Sequence, residues 1–379
     1  MKIIKGGVTT PQGFTANGIS AGIKKSGKPD LALIASDVPA IAAGVFTKNS
    51  VKAAPLIVTM KNIASGKAQA IIANSGNANC FTGDFGLLYA QKSTELIAKL
   101  LNISAKLVLV TSTGIIGKPL PYQKIVHGAP RLVAGLNSSG GRKAAKAILT
   151  TDLALKEISV QIKLSGKKVS IGAMGKGSGM IAPNMATMLG FITTDAAISA
   201  PMLKAALKCA INKSFNNITV DGCMSTNDMV VVFANGLAGN KPIIKQGKEF
   251  KTFCDALTFA CVDLAKKIVW DAEGITKFIE ITTSGAKTVE QAKKICFAIA
   301  NSNLVKTAAY GNNPNWGRVA AAVGSLGFPI TEKQLKIRFD SFKKKHIHIN
   351  VDVGLGKEKA TVYTSDLSVE YVNINGRYN

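Results

Sequence analysis

The sequence predicts an α/β fold, organised either as two domains or as two intimately packed halves. Short apolar runs such as Leu31-Ala-Leu-Ile-Ala and Leu107-Val-Leu-Val, each followed by turn residues, are typical of buried strands. Longer segments repeat apolar residues at helical spacing, for example from Phe250 to Ile268. A chain of 379 residues with 47% hydrophobic content is long enough for two packed halves around a substantial core.

In the first half, Leu31–Ala35 and Ala42–Phe46 are predicted to be separate strands. The polar run Asn74-Ser-Gly-Asn follows the strand-like Ala70-Ile-Ile-Ala and is predicted to be a loop. The strand ending at Val110 leads into a threonine-glycine turn at Thr111-Ser-Thr-Gly. Backbone N–H groups left outward in such a turn suit an oxyanion hole, although most turns of this kind have no such role.

In the second half, Ser199-Ala-Pro201 marks a helix start because proline is tolerated in the first turn. Thr288-Val-Glu-Gln291 has the pattern of a capping box, in which two side chains satisfy free N–H groups at a helix start. The alternation from Leu335 to Val353 predicts paired strands near the end of the chain. The helical stripes are expected to face the core rather than a cofactor.

Composition excludes several classes of protein. No apolar run approaches the roughly 18 residues of a membrane span. The start, Met1-Lys-Ile-Ile-Lys-Gly-Gly-Val, lacks the apolar region of a signal peptide, so we expect a cytoplasmic protein. The cysteines contain no C-x-x-C pair and are expected to be reduced and mostly buried, so they do not predict a zinc site.

The net charge of +25 raises the alternative of a basic nucleic-acid-binding protein. Only five of the 47 basic residues are arginine, the residue preferred for bidentate contacts with phosphates and bases. The lysines are spread along the chain. We therefore interpret the charge as a solvated surface, with steering of anionic substrates such as glutamate as a second role, and expect neither nucleic acid nor membrane as a partner.

The segment Gly172 to Asp195 is the centre of the sequence. Its first half is rich in glycine, Pro183-Asn184 marks a turn, and an apolar run predicts a strand. At the junction stands Thr187, and a hydroxyl nucleophile needs a base, usually histidine. The three histidines of the chain are all distant from Thr187 in the sequence; they are His127, His346 and His348. A threonine at a new N-terminus needs none, because its own α-amine accepts the proton.

Met185-Ala-Thr-Met-Leu189 resembles the self-cleavage site of the ornithine acetyltransferases, the bifunctional glutamate N-acetyltransferases of arginine biosynthesis. Similar motifs follow one another in the order of that family, including Asn74-Ser-Gly-Asn-Ala-Asn, Ser225-Thr-Asn-Asp and Gly311-Asn-Asn-Pro-Asn-Trp-Gly-Arg. The resemblance implies an α/β fold of two interleaved α/β halves, of the ornithine acetyltransferase or DmpA-like type. It also implies cleavage between Ala186 and Thr187, giving an α chain of residues 1–186 and a β chain of residues 187–379, two copies of each.

The resemblance assigns the site residue by residue. It makes Thr187 the nucleophile and a substrate contact, with Thr113 and Gly114 as the oxyanion hole. It places substrate on Thr150, with Thr151 as the alternative, and on Lys176, Glu273 and Asn375. Lys176 lies in a Gly-Lys-Gly-Ser order that fails the spacing of a phosphate-binding loop. The ending departs from the family, because its terminal Ser or Thr has no counterpart after Tyr378, so the resemblance assigns no residue to that substrate contact.

The implied reaction moves an acetyl group from N2-acetylornithine to glutamate through an acetyl-Thr187 intermediate. The resemblance implies no metal and no prosthetic group. Acetyl-CoA is a possible second acetyl donor, as in the bifunctional members. The alternative enzyme is an N-terminal-nucleophile aminopeptidase or amidase of related fold, which would transfer the acyl group to water.

Overall fold

The computed structural model describes residues 1–182 and 188–377. Within these ranges, nine strands form a mixed sheet in the order β1-β6-β7-β8-β9-β3-β4-β5, and β2 pairs with β3. The strands of this large sheet are β1 (Lys2–Ile4), β2 (Phe14–Ile19), β3 (Leu31–Phe46), β4 (Lys67–Asn77), β5 (Val108–Ile115), β6 (Lys156–Leu164), β7 (Lys167–Lys176), β8 (Leu189–Thr194) and β9 (Met229–Ala234).

The two halves of the sequence share this sheet. Strands β8 and β9 come after residue 187, yet they lie between β7 and β3, which come before it. β8 pairs antiparallel with β7 and parallel with β9, and β9 pairs antiparallel with β3. Separating the halves would expose unpaired strand edges on both. The prediction of an α/β fold with interleaved halves is therefore confirmed.

Helices cover the large sheet. The helices α1 (Ala54–Ile63), α2 (Gly83–Leu101) and α3 (Tyr122–Ala134) pack on one part of it, in a core that includes Val58, Ile97 and Leu132. The short α4 (Gly141–Ala147) follows, and the longer α5 (Ala200–Lys213) and α6 (Lys248–Trp270) cover the strands around β8. Full burial of each large aliphatic side chain contributes about 1.5–3 kcal/mol.

A second, four-stranded sheet lies in the C-terminal part of the described chain, in the order β11-β12-β10-β13. Its elements are β10 (Phe278–Ala286), β11 (Lys336–Phe339), β12 (His346–Asp352) and β13 (Glu358–Ser365), with helices α7 (Val289–Ala300), α8 (Asn303–Tyr310) and α9 (Trp316–Gly324). The helices cover one face through a shared core, and α10 (Val369–Gly376) ends the described chain.

Most of the predicted elements are confirmed. Ser199 precedes α5, with proline in its first turn, and the stripes of α5 and α6 are buried. Thr288 caps α7 by accepting a hydrogen bond from the N–H of Gln291, while the Gln291 side chain accepts from Lys287 rather than from Thr288. The run after Thr187 forms β8, and β11 pairs antiparallel with β12.

Three sequence predictions about strands and loops are wrong. The two predicted strands of residues 31–46 are one strand, β3, because a register shift between Ala35 and Ala40 absorbs the interruption. The runs Asn74–Asn77 and Thr111–Gly114 belong to β4 and β5 rather than to loops or turns, because these strands pair in parallel to their ends. Gly172 and Gly175 lie inside β7, where a Cβ on Gly172 would be 2.0 Å from the carbonyl oxygen of Gly7.

Across the described ranges, none of the helices combines the length and apolar character needed to cross a membrane.

Candidate active site

A polar cleft opens where the ends of β5 and β7 meet the segment after α6 and helix α10. It brings together residues from widely separated parts of the sequence. Its lining is Ala78, Thr113, Gly114, Ile116, Thr150, Thr151, Lys176, Gly179, Met180, Ser225, Asn227, Glu273 and Asn375. Every described residue to which the sequence assigned a site role, including both threonine alternatives, is in this lining.

Thr113 and Gly114 lie at the end of β5, beside the end of β4. In the parallel register, Thr113 is opposite Ser75 and Gly114 is opposite Gly76. Gly114 has a φ of +132°, and a Cβ there would lie 2.5 Å from the carbonyl carbon of Gly76, so only glycine fits. The pair thus places the Thr113 hydroxyl and a backbone position that only glycine can occupy at the cleft wall.

The side-chain amide of Asn227 stabilises this wall of the cleft through hydrogen bonds. Its side-chain Nδ2 donates to the carbonyl oxygens of Ser112 at 2.8 Å and Ala78 at 2.7 Å. Thr226 donates to Asn227 Oδ1 at 2.7 Å, so the buried amide is held at both ends. This network joins the segment before β9 to the end of β5, and thereby holds Thr113 in place.

Glu273 is held between helix α10 and the glycine-rich segment after β7. Its Oε2 accepts a hydrogen bond of 2.8 Å from Asn375 Nδ2, and its backbone N–H donates to the carbonyl of Ser178. A Cβ on Gly179 would lie 2.2 Å from Glu273 Oε2, so the carboxylate fits only because residue 179 is glycine. The acid is therefore oriented into the cleft from both sides.

Asp152 is the charged centre of the cleft floor. Its buried carboxylate lies 2.7 Å from Lys156 Nζ and 3.7 Å from Lys176 Nζ, and it accepts from the N–H groups of Thr150 and Gly177. Burial opposes ionisation, but Lys176 and then Lys156 outweigh it and hold the pKa of Asp152 below its ordinary range. Asp152 remains charged and fixes Lys176 at the end of β7.

Lys156 also pairs with Asp271, which stands two residues before Glu273. Asp271 in turn accepts from the N–H groups of Leu153 and Ala154. The charge network therefore connects the segment after α4 to the segment after α6. Both segments carry predicted substrate contacts, so the network sets the distance between them.

Thr150 and Thr151 stand side by side after α4, and both line the cleft. The Thr151 hydroxyl is 2.6 Å from the Ser178 hydroxyl, whereas the Thr150 hydroxyl is 3.5 Å from Asp152 Oδ2. The Thr151 side chain is thus held in a short hydrogen bond within the protein. The Thr150 hydroxyl is less constrained, which favours Thr150 as the substrate contact.

The sequence did not assign roles to Asp152, Asn227 or Gly179. Asp152 directly follows the two candidate threonines, and Asn227 lies within the motif Ser225-Thr-Asn-Asp, so proximity to a motif was their signal. Their functions are to hold other side chains, and that requires partners far away in sequence. Gly179 was one of several clustered glycines, with nothing local to distinguish it.

The predicted nucleophile Thr187 and the residue before it, Ala186, lie outside the described residues. The described chain resumes at Met188, whose N–H donates to Asp228 Oδ1 at 3.0 Å. Burial raises the pKa of Asp228 well above its ordinary value. Leu189 then pairs with Lys176 in the register of β7 and β8, so the chain that follows Thr187 enters the sheet next to a cleft residue.

The fold and the cleft define a small-molecule enzyme. Its two halves contribute to one sheet and one site. The cleft presents the carboxylate of Glu273, the ammonium of Lys176 paired with Asp152, and a wall that contains Gly114. The cleft lining combines hydroxyl, amide and charged side chains with apolar surface from residues such as Ile116 and Met180. Within the described residues, the one group of histidine and acidic side chains with metal-ligand spacing, formed by Glu280, His346 and His348, is not in the cleft lining.

Comparison with known proteins identifies the family. The ArgJ family model matches residues 15–344 and 340–379. The arginine biosynthesis bifunctional protein ArgJ of Symbiobacterium thermophilum is 45% identical over 400 residues, covering 100% of both chains. Its counterpart from Bacillus anthracis is 46% identical over 398 residues, covering 100% of this chain and 98% of that protein.

A solved structure of ornithine acetyltransferase from Mycobacterium tuberculosis, complexed with ornithine, is 38% identical and covers 48% of this chain and 97% of that one, with a TM-score of 0.45. The full-length sequence matches decide the assignment: this chain belongs to the ArgJ family. The predicted acetyltransferase function in arginine biosynthesis is confirmed, and the aminopeptidase alternative is not favoured.

Proposed function

We propose that the cleft transfers an acetyl group from N2-acetylornithine to glutamate, with Thr187 carrying the acetyl group between the two. The observation that supports this most directly is the convergence of Thr113, Gly114, Lys176, Glu273 and Asn375 in one cleft. These residues are spread over more than half of the sequence. A shared structural role would not require all of them to face the same space.

The charges of the cleft match the substrates. N2-acetylornithine carries a carboxylate and a side-chain ammonium, and glutamate carries a second carboxylate. Glu273, oriented by Asn375, pairs with the ammonium of ornithine. Lys176, held by Asp152, pairs with a substrate carboxylate. The Thr150 hydroxyl provides a further hydrogen bond near the same end.

The chemical step has two halves. Thr187 Oγ attacks the acetyl carbonyl while its own α-amine accepts the hydroxyl proton. The resulting oxyanion is held by the Thr113 hydroxyl and the Gly114 N–H, and it collapses as ornithine leaves with the proton on its amine. The amine of glutamate then attacks the acetyl ester, and Thr187 is released. The chemistry uses only side chains and a terminal amine, so it requires no metal and no prosthetic group.

The free amine arises by cleavage between Ala186 and Thr187. In this proposal, residues 1–186 and 187–379 remain together in the cytoplasm, as two copies of each chain. The sharing of the large sheet supports the association, because β8 and β9 of the later segment are enclosed by β7 and β3 of the earlier one.

Acetyl-CoA is proposed as a second acetyl donor to glutamate. The relatives at 45% and 46% identity are named bifunctional proteins, which supports two activities on one site. The same acetyl-Thr187 would form from either donor. Formation of N-acetylglutamate from acetyl-CoA and glutamate, measured separately from transfer out of acetylornithine, tests this part.

Trapping the intermediate tests the central proposal. Incubation with N2-acetylornithine in the absence of glutamate should add about 42 Da, one acetyl group in place of a hydrogen, to the fragment that begins at Thr187. Addition of glutamate should remove the adduct and yield N-acetylglutamate. Release of acetate to water with no dependence on glutamate would instead indicate the amidase alternative.

A further inference from the structure

A second cluster of functional side chains lies outside the cleft, on the four-stranded sheet. Glu280 is on β10, and His346 and His348 are on the neighbouring β12. The two strands are parallel, and their register places Glu280 opposite His348. Only three histidines occur in the whole sequence, and two of them are in this cluster.

Strand alternation explains why the three side chains share a face. Ile279, Ile281, Ile347 and Ile349 alternate with them and are fully buried under the helices α7 to α9. Because neighbouring residues of a strand point to opposite faces, Glu280, His346 and His348 must project from the other face. The hydrophobic core thus determines the arrangement of the three polar groups.

The distances within the cluster are those of a metal site. His346 Nε2 is 3.5 Å from Glu280 Oε2, and one ligand atom from each of the three side chains lies within 4.8 Å of the other two. Two ligand atoms on a tetrahedral Zn²⁺ are about 3.4 Å apart, given bonds of about 2.0–2.1 Å. One edge of such a site is therefore already formed, and the ligand atom of His348 lies within 4.8 Å of the other two.

His346 Nε2 is enclosed and faces Glu280 Oε2 at 3.5 Å, the outer limit of a hydrogen bond, and no other described residue gives it a partner. So long a contact leaves the nitrogen poorly satisfied, and a cation bound between the two groups removes that cost. The side chains of His346 and Glu280 are 38% and 22% exposed, so the cluster borders solvent. Lys266 opposes binding by its charge, although its Nζ lies over the ring of Tyr363 at 4.7 Å from the centroid.

We propose that Glu280, His346 and His348 form a Zn²⁺ site that joins β10 to β12. Two imidazoles and one carboxylate are a ligand set that zinc accepts readily, and no cysteine is needed. The site is separate from the acetyl-transfer chemistry. Bound Zn²⁺ links two adjacent strands of the folded sheet, and it therefore raises the melting temperature with the logarithm of the free Zn²⁺ concentration above its Kd.

Calorimetric titration with Zn²⁺ of chelator-treated, tag-free enzyme tests the proposal. We expect one Zn²⁺ per chain, and at least a tenfold weaker affinity in each of Glu280→Gln, His346→Gln and His348→Gln. His127→Gln is the matched control, because it changes the remaining histidine, on α3, and should bind as the wild type does. Absence of Zn²⁺ binding, or equal affinity in all four variants, would overturn the site.

A second measurement locates the bound ion without substituting any of the three proposed metal ligands. The ring of Trp270 lies 5.9 Å from the ring of His346, centroid to centroid, so paramagnetic Cu²⁺ bound here should quench Trp270 emission. Trp316→Phe leaves Trp270 as the remaining tryptophan, and Cys223→Ser removes the exposed thiol as a competing ligand. Binding of Cu²⁺ to this double variant without quenching would place the ion elsewhere.

Discussion

Asn375 Nδ2 donates a hydrogen bond of 2.8 Å to Glu273 Oε2, and this contact connects α10 to the segment that follows α6. The same amide donates to the carbonyl of Tyr371, so Asn375 is itself fixed by its helix. Glu273 is otherwise positioned only by its backbone hydrogen bond to Ser178 and by the space that Gly179 leaves. The orientation of the acid therefore depends on the asparagine.

Asn375→Ala should raise KM for acetylornithine by about tenfold and leave kcat nearly unchanged. A hydrogen bond to a charged group contributes about 1.5–3 kcal/mol, and its loss lets Glu273 rotate away from the substrate ammonium. Glu273→Ala should have the same signature with a larger effect. Asn373→Ala is the control on the same helix, since Asn373 bonds only to Glu370 in the described chain. An unchanged KM in Asn375→Ala would show that Asn375 does not orient Glu273, and an unchanged KM in Glu273→Ala would show that Glu273 does not bind substrate.

Asp152→Asn should destabilise the protein by about 3–5 kcal/mol at neutral pH. The substitution leaves Lys176 and Lys156 buried with one negative charge fewer, and a broken buried pair is costly. The lowered pKa of Asp152 means that its stabilisation is complete above the unfolded pKa of about 3.9 and is lost as pH falls further. Urea unfolding from pH 7 to pH 3 should therefore show a constant difference between the two proteins down to about pH 4, and a difference that begins to narrow below it.

The control for this prediction is Asp255→Asn, which removes an acid from the exposed pair with Lys251. Exposed pairs contribute little, so no measurable change in the unfolding midpoint is expected. If Asp152→Asn and Asp255→Asn behaved alike, the charge network on the cleft floor would not be a source of stability.

Gly114→Ala should abolish most of the activity. The new Cβ would lie 2.5 Å from the carbonyl carbon of Gly76 and 2.6 Å from the Asn77 nitrogen, and both are backbone atoms that cannot move easily. Displacing the Thr113–Gly114 pair by about 1 Å can cost on the order of 10²-fold in rate. Steady-state kinetics and thermal unfolding should both register the change.

Gly117→Ala separates the two sources of strain. Gly117 has a φ of +80°, but a Cβ there would meet nothing within 4 Å. It should therefore show only the backbone penalty of about 1 kcal/mol and keep its kcat. Comparable loss of activity in both variants would mean that the close approach of β4 and β5 is unimportant.

The sequence predicted the site better than it predicted the strands around it. Thr113, Gly114, Lys176, Glu273 and Asn375 were identified by motif resemblance, and the structure places all of them in one cleft. The ends of β4 and β5 were missed because their polar residues have no apolar alternation. They are strands because each satisfies the backbone of the other, which is a property of the pair.

Local sequence patterns could not identify the residues that hold the cleft side chains in position. Asn227 matters through carbonyls more than a hundred positions away, at Ser112 and Ala78. The same is true of the proposed Zn²⁺ site, because its ligands include no cysteine and the spacing of the cysteines therefore gives no sign of it. Its ligand Glu280 is 66 positions before His346, and only the parallel pairing of β10 and β12 brings them together.

Lys306 should make stability rise with pH. Burial lowers the pKa of Lys306 to about 8, while the unfolded chain keeps the proton to about pH 10.4. Between these values the unfolded state binds more protons, so its free energy rises relative to the folded state by up to about 1.4 kcal/mol per pH unit. Below pH 8 the lysine is charged in both states, and the dependence disappears.

Lys306→Met should remove this dependence. The wild type should gain stability relative to the variant as pH increases from 8 to 10, whatever the effect of losing the hydrogen bonds to Thr364 and Ser365. Lys333→Met, at an exposed lysine, should keep the wild-type slope. Parallel curves for wild type and Lys306→Met would show that Lys306 does not titrate in this range.

Thr187→Ala should give an uncleaved and inactive protein. Self-cleavage requires Thr187 Oγ to attack the Ala186 carbonyl, forming an ester that water opens, and transfer later requires the same oxygen. A denaturing gel should show one band for Thr187→Ala and two for the wild type. N-terminal sequencing of the later wild-type fragment should begin Thr-Met-Leu-Gly.

Thr187→Ser distinguishes the nucleophile from the side-chain shape. Serine keeps the hydroxyl, so the variant should still cleave, but the missing methyl group leaves the oxygen less well positioned and should slow turnover. Circular dichroism should show that both variants are folded. If uncleaved Thr187→Ala transferred acetyl groups to glutamate at the wild-type rate, the reaction could not proceed through Thr187, and another group in the cleft would have to carry the acetyl group.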